Sequence, residues 1–183
     1  MTELMNFELA VLDKIQDIMG TPFFDNIWLF FTHIGDYGLI WIAITVALLM
    51  YPKTRRVGIM CLIALLCGAI VTNGLLKNMV ARARPYNYKD IALLIDEPHD
   101  YSFPSGHTTA SFAVAFVLLK ERLKVNKVNM YIPILIIAIL VAFSRMYLYV
   151  HFPSDILAAI VIAYFCSVAS RYLFMKLNDY TRS

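Results

Sequence analysis

Five apolar blocks separated by short polar loops dominate this chain, at about Tyr37 to Met50, Val57 to Val80, Thr108 to Leu119, Tyr131 to Phe143 and Ile156 to Phe174. Blocks this long and this poor in charge do not suit a small water-soluble domain, whose apolar residues recur in short alternating or one-sided patterns. Several fall short of the roughly 20 residues that a perpendicular membrane helix needs, so each is expected to extend into its polar flanks. Composition agrees: of 183 residues 60% are hydrophobic and 16% charged, where a soluble domain is about 45–50% apolar. The mean hydropathy is +0.66. The expected fold is all-α, a polytopic membrane helical bundle of five to six transmembrane helices in a single domain, residues 1–183.

The first 34 residues read differently. Leu4, Leu9, Leu12, Ile15 and Met19 recur at helical spacing opposite Glu8, Asp13 and Asp17, and Phe23 to Ile34 is too short to span alone before Gly35 and Asp36 interrupt it. Residues 1–34 are therefore expected to form an amphipathic, interfacial N-terminal segment, with a sixth, tilted span as the alternative, and residues 37–176 to form the bundle that carries the site. The start lacks the basic region and small-residue cleavage site of a secretory signal. Cys61, Cys67 and Cys166 all fall inside apolar blocks, as packing residues do.

Lysine and arginine orient the spans. Lys53, Arg55 and Arg56 share one loop, Lys120, Arg122, Lys124 and Lys127 another, and Arg171, Lys176 and Arg182 the last stretch. With five spans these three regions lie on one side, which the positive-inside rule makes cytoplasmic.

Three motifs fall on the opposite side. In "KNMVARARP" Lys77 and Arg84 are seven residues apart, two helical turns and about 10 Å along one face, with Pro85 ending the helix after the arginine. They present either a snorkelling anchor or a pair of anion-binding cations. In "YSFPSGHTTASF" Pro104 suits the first turn of a helix. The backbone N–H groups of Ser105, Gly106 and His107, with the Ser105 hydroxyl, then offer an anion site at the helix N-terminus. The bland alternative is an ordinary helix start. In "SRMYLYVHFPSD" Pro153 again suits a first turn. Asp155 either stabilises that N-terminus or accepts a hydrogen bond from His151 Nδ1–H, leaving Nε2 bare and nucleophilic. Ionisable residues near hydrocarbon are costly and tend to mark function, and this set suits phosphate.

The spacings K-x6-R-P, P-S-G-H and S-R-x5-H-x3-D resemble those of the type 2 phosphatidic acid phosphatase superfamily, and the helical layout is similar to that of its small bacterial members over nearly the whole chain. Lys77, Arg84 and Pro85 match the first motif, Pro104 to His107 the second, and Ser144, Arg145, His151 and Asp155 the third. The resemblance implies a metal-independent lipid phosphatase with no cofactor, in a bacterial cytoplasmic membrane with its site facing outward. His151 would be the nucleophile that becomes phosphorylated, Asp155 would orient it, and His107 would protonate the leaving oxygen and later activate water. Lys77, Arg84, Arg145, Ser105 and the Gly106 backbone would hold the phosphoryl oxygens. Implied substrates are undecaprenyl diphosphate or a glycerophospholipid phosphate such as phosphatidylglycerophosphate or phosphatidic acid. The expected partners are the bilayer and the lipid phosphate, not nucleic acid; oligomeric state stays open.

Three other readings compete. Asp90, Asp96, Glu97, His99 and Asp100 in the loop before the second motif are hard ligands for a divalent cation, although no helical spacing organises them. The alternative expectation is that this loop borders the site and touches the head group. A phosphotransferase would use the same residues with a lipid acceptor. A non-enzymatic lipid-binding or transport protein would need the cations but not a histidine backed by a carboxylate.

Overall fold

Apolar faces that have no water-soluble partner must meet each other or lipid, and the helices of this chain divide their surfaces that way. The structure, a computed structural model, describes residues 2–125 and 127–180; Arg182 lies outside them. Among the described residues three helices are long and apolar enough to cross a membrane, Pro22–Met50, Arg55–Tyr88 and Pro153–Tyr180, with Tyr131–Tyr147 a shorter apolar one.

Helix α1 (Glu3–Met19) starts at Thr2, whose hydroxyl accepts from the Met5 N–H. It is amphipathic, but not with the expected polarity. Leu4, Phe7 and Ile18 are exposed, while Glu8 is buried beside Leu9 and Leu12. Leu9 and Leu12 pack with Tyr149 and Phe152, and the Glu8 carboxylate accepts from the Ser154 N–H and from Arg82. Burial of an acid on this face is possible because partners on distant segments satisfy it.

The expectation that Phe23 to Ile34 lies with α1 in the interface meets a different arrangement. Helix α2 (Pro22–Gly35) runs through a three-residue turn, Asp36–Gly38, into α3 (Leu39–Met50) as one broken apolar helix. Tyr37 and Gly38 hold left-handed φ values of 53° and 68° at the break. Trp28 packs on Phe143 and Tyr147, so α2 lies along α7 (Tyr131–Tyr147).

Helix α4 (Arg55–Ala69) packs closely on α3. It opens into a π-helical turn, Ile70–Leu76, followed by the short α5 (Lys77–Val80). Helix α6 (Gly106–Lys120) sits in the middle, buried on all sides through Phe112, Ala113, Val114, Ala115, Val117 and Leu118. It touches α4, α7 and α8 (Pro153–Tyr180). Small residues, Ala64 on α4 and Ala159 and Ala163 on α8, are fully buried, which lets helix axes approach as membrane packing requires. Outward, Ile42, Leu66, Ile136, Leu157 and Phe165 are exposed, as lipid-facing residues are.

Glu121 lies near both Arg56 (3.5 Å) and Arg171 (3.6 Å). It gathers the start of α4, the end of α6 and the distal part of α8, so three of the basic regions meet at one end. A small hairpin, β1 (Lys124–Val125) with β2 (Val128–Asn129), joins α6 to α7.

A Cβ at Gly58 would come within 2.8 Å of the Leu49 backbone nitrogen, so α3 and α4 depend on a residue without a side chain. Gly58→Val is expected to cost about 1–3 kcal/mol, seen as a lowered midpoint of thermal unfolding in detergent; an unchanged midpoint would show that this hairpin can open without loss.

Candidate active site

At the end opposite Glu121, the segments carrying the three motifs meet. The first is built differently from the helical expectation. After the π-turn, α5 stops at Val80 because Ala81 adopts a left-handed conformation, φ 47°. Arg84 is extended, φ −82° and ψ 158°, as a residue before proline prefers. Lys77 and Arg84 are therefore not two turns apart on one helix. They meet because the chain folds back, and one carboxylate, Asp100, pairs with both: with Lys77 Nζ, and at 2.5 Å with Arg84 Nη2. Arg84 also donates to the carbonyls of Asp100 (2.9 Å) and Val150 (2.7 Å). Both cations are buried.

The second motif opens α6 at Gly106, which leaves Pro104 outside the helix and not in its first turn as expected. Ser105 is the N-cap, its hydroxyl accepting from the N–H and the hydroxyl of Thr108, and Pro104 precedes the cap. The Ser105 N–H donates to the Asp155 carbonyl at 3.3 Å, so it is not available to an anion as expected. The N–H groups of Gly106 and His107 have no partner in the protein among the described residues, and they point out of the positive end of the helix. Gly106 sits against the Asn73 side chain, 3.2 Å from where its Cβ would lie.

The third motif turns at Tyr149, φ 60°, and the Arg145 carbonyl accepts from the N–H groups of Val150 and His151. His151 is 1% exposed, with Nε2 3.4 Å from Arg84 Nη1 and Nδ1 3.6 Å from Asp155. At 3.6 Å the carboxylate is a charge neighbour and not a hydrogen-bond acceptor. Burial, with the charges of Arg84 and Arg145 and against the pull of Asp155, lowers the His151 imidazole to about 3. It is therefore neutral across ordinary pH. Of the two expected roles, Asp155 fills the first, at the helix N-terminus, and its remaining partners are not His151. Its Oδ2 accepts from the Phe152 N–H at 2.9 Å, capping α8, and from the Ser102 hydroxyl, while Oδ1 accepts from Arg82 at 2.7 Å.

Arg145 is buried on α7 and donates to the Thr32 hydroxyl on α2, with its Nε left without a partner. It lies within electrostatic reach of Lys77, Arg84, Asp36 and Asp100. The His107 Nε2 is 3.0 Å from Asp36 Oδ1. Gly35 makes that approach possible, because a Cβ there would stand 2.8 Å from the His107 ring. All eight candidate residues thus reach one end of the bundle.

Sequence reasoning did not find Asp36, Thr32, Arg82, Glu8 or Ser102, whose partners are remote in the chain. Of the loop acids it weighed, Asp100 turns to the two cations, while Asp90 sits outside that cluster and Asp96, Glu97 and His99 are exposed.

Buried cations, unpaired N–H groups and a buried histidine at one end of an apolar bundle define a membrane protein with a site chemically suited to an anion. Comparison with known proteins names the kind: residues 58–179 match the PAP2 superfamily, and the chain belongs to it. It is 37% identical over 128 residues to the undecaprenyl-diphosphatase of Sulfolobus acidocaldarius, covering 68% of this chain and 60% of that protein, less than two thirds of its length. It is 31% identical over 155 residues to phosphatidylglycerophosphatase B of Bacillus subtilis, covering 80% and 73%. The fold is similar to the crystal structure of a transmembrane PAP2-type phosphatidylglycerolphosphate phosphatase from Bacillus subtilis, with TM-score 0.75 and 28% identity over 96% of this chain and 88% of that one.

Arg82 holds Asp155 on one side and Glu8 (2.6 Å) on the other, and both acids are buried. Arg82→Ala is expected to destabilise the protein by on the order of 3–5 kcal/mol, because it leaves two buried carboxylates without their cation. Thermal unfolding in detergent checks this, and Glu8→Gln in the same background should recover part of the loss.

Proposed function

We propose that this chain is an integral-membrane, metal-independent lipid phosphatase acting through a phosphohistidine. The observation that carries the reading is that His151 Nε2 lies 3.4 Å from Arg84 Nη1, and Arg84 shares the Asp100 carboxylate with Lys77, so a nucleophile and the cations that would hold its electrophile are joined through one side chain. In-line attack by Nε2 forms the N–P bond as the bond from phosphorus to the lipid oxygen breaks. His107 supplies the proton to that oxygen, then takes one from the water that attacks the phosphohistidine and returns His151 to its neutral form. Phosphoryl transfer of this kind rests on positioning and on stabilising equatorial oxygens. Arg145 Nε, the Gly106 and His107 N–H groups, Lys77 and Arg84 are suited to that work, and Ser105 holds the loop that presents them.

Asp155 acts as the positioning residue for His151. Its 3.6 Å separation is of the kind that tightens into a hydrogen bond when substrate fills a site. Because His151 loses its proton already at about 3, an acid limb in the rate at higher pH belongs to His107 or to the substrate phosphate, not to the nucleophile.

The substrate is a terminal phosphate or diphosphate on a lipid, as the names of two relatives support: an undecaprenyl-diphosphatase and a phosphatidylglycerophosphatase. The bundle spans the cytoplasmic membrane five times, with α2 and α3 as one broken span, α1 in the interface and the site on the outer side. The single domain runs through the chain.

Phosphate release by purified protein from a panel of these lipids should survive a chelator, and His151→Ala should lower it by about 10³-fold or more; His107→Ala should lower it too. Full activity of His151→Ala would exclude the phosphohistidine route. For orientation, Asp96→Cys in a cysteine-free background is expected to react with an impermeant thiol reagent applied outside intact cells, and Lys53→Cys only after permeabilisation. The reverse pattern would invert the proposed topology.

A further inference from the structure

The most unusual occupant of the pocket is one of the protein's own side chains. The two carboxylate oxygens of Asp100 take Lys77 and Arg84 separately, as two oxygens of a phosphoryl group would. The cations are rigid and enclosed, with side chains 8% and 3% exposed, whereas Asp100 is 54% exposed. Its backbone is pinned independently, since Arg84 Nε donates to the Asp100 carbonyl and Nη2 lies 3.4 Å from that of Tyr101. The carboxylate can therefore leave by rotating about its own side-chain bonds toward solvent while the loop stays in place.

A site at a lipid surface faces a particular competitor. Most membrane phospholipid carries a phosphodiester, with one negative charge, at very high local concentration, whereas a phosphate monoester carries about 1.5 to 2 charges near neutral pH. A single carboxylate already matches the charge of a phosphodiester, so exchange for that group gains no electrostatic interaction. Exchange for a monoester or diphosphate does.

We propose that Asp100 is a specificity-determining residue: its carboxylate fills the anion site until a terminal phosphate or diphosphate replaces it, and so keeps phosphodiester head groups out. The inference rests on the phosphatase reading and defines the substrate class of that same site. The state of the carboxyl is consistent with it. Burial works to raise its pKa, but the hydrogen bonds and charges of Lys77 and Arg84 prevail and bring it to about 2, so Asp100 is a full anion wherever lipids are.

The test measures turnover of whichever terminal-phosphate lipid the wild-type protein accepts, in mixed micelles with rising phosphatidylglycerol, for wild type, Asp100→Asn, Asp100→Ser and Asp96→Asn. Wild type and Asp96→Asn should be inhibited no more than surface dilution explains. Asp100→Asn and Asp100→Ser should show competitive inhibition, with an apparent Ki for phosphatidylglycerol lower by about tenfold or more, as removal of a like charge from the pocket requires. Competitive inhibition of wild type at phosphatidylglycerol levels near the substrate KM would overturn the proposal without any variant, and so would wild-type insensitivity in either folded Asp100 variant. Thermal stabilisation by inorganic phosphate reads the pocket without turnover and should need about tenfold less phosphate in Asp100→Asn. If that shift appears while wild type hydrolyses none of the lipids, the phosphatase reading fails and the assignment of Asp100 to the anion site stands.

Discussion

The carboxylate of Asp155 is the point from which the outer end of the bundle is organised. It is fully buried and draws three segments together: Arg82 from the stretch after α5, Ser102 from the loop before α6, and the turn at the head of its own helix, through the Phe152 N–H and with His151 beside it. Arg82 extends the set to Glu8 on α1, and the Glu8 carboxylate returns to the Ser154 N–H on α8. A buried carboxylate is tolerated only where charge and hydrogen bonds compensate its lost hydration. Each partner is therefore held in place by the need of the next. Removing Arg82 leaves two buried carboxylates without their cation.

That network explains why an amphipathic helix can bury its acid. In isolation, Glu8 would face water and Leu4, Leu9 and Leu12 would face lipid. Here Leu9 and Leu12 join Tyr149 and Phe152 over the active-site turn, Arg82 stacks its guanidinium 3.9 Å from the Phe152 ring centroid, and Leu4 and Phe7 look outward. Helix α1 is thus joined to the chemistry by charge on one side while its exposed apolar residues suit the membrane interface on the other.

How much of this could be read in the sequence follows from range. The apolar blocks and the three motifs are local patterns, and the residues they single out do come together. What failed were geometric extrapolations along the chain. Lys77 and Arg84 looked like neighbours on a helix, yet Ala81 breaks that helix and Pro85 extends the residue before it, so the pair is made by a fold-back that Asp100 seals. Glu8 looked solvated because its partners, Arg82 and Ser154, lie 74 and 146 residues away. Asp36 and Thr32 looked like a break and a filler in an apolar run because His107 and Arg145 lie 71 and 113 residues further on. The pairing of Gly35 with Asp36 was the one local hint, a residue without a side chain next to a carboxylate in an otherwise apolar stretch.

The three cations of the pocket are not equivalent, and their differences suggest an order of events. Lys77 and Arg84 are engaged by Asp100. Among the described residues Arg145 makes no ion pair, and its buried Nε has no partner. An unsatisfied buried donor costs about 1–3 kcal/mol, more for a charged group, and such a cost is recovered when an oxygen arrives. The N–H groups at the start of α6 have no partner in the protein among the described residues and would meet the same anion. On the proposed reading, a phosphoryl group would therefore gain its first contacts at Arg145 and the helix N-terminus without displacing anything. Once there, its charge acts on Asp100 at close range and weakens that carboxylate's hold on Lys77 and Arg84. In the proposed exchange, binding on one side of the site would thereby drive displacement of Asp100 on the other, more strongly the more charge the phosphoryl group carries.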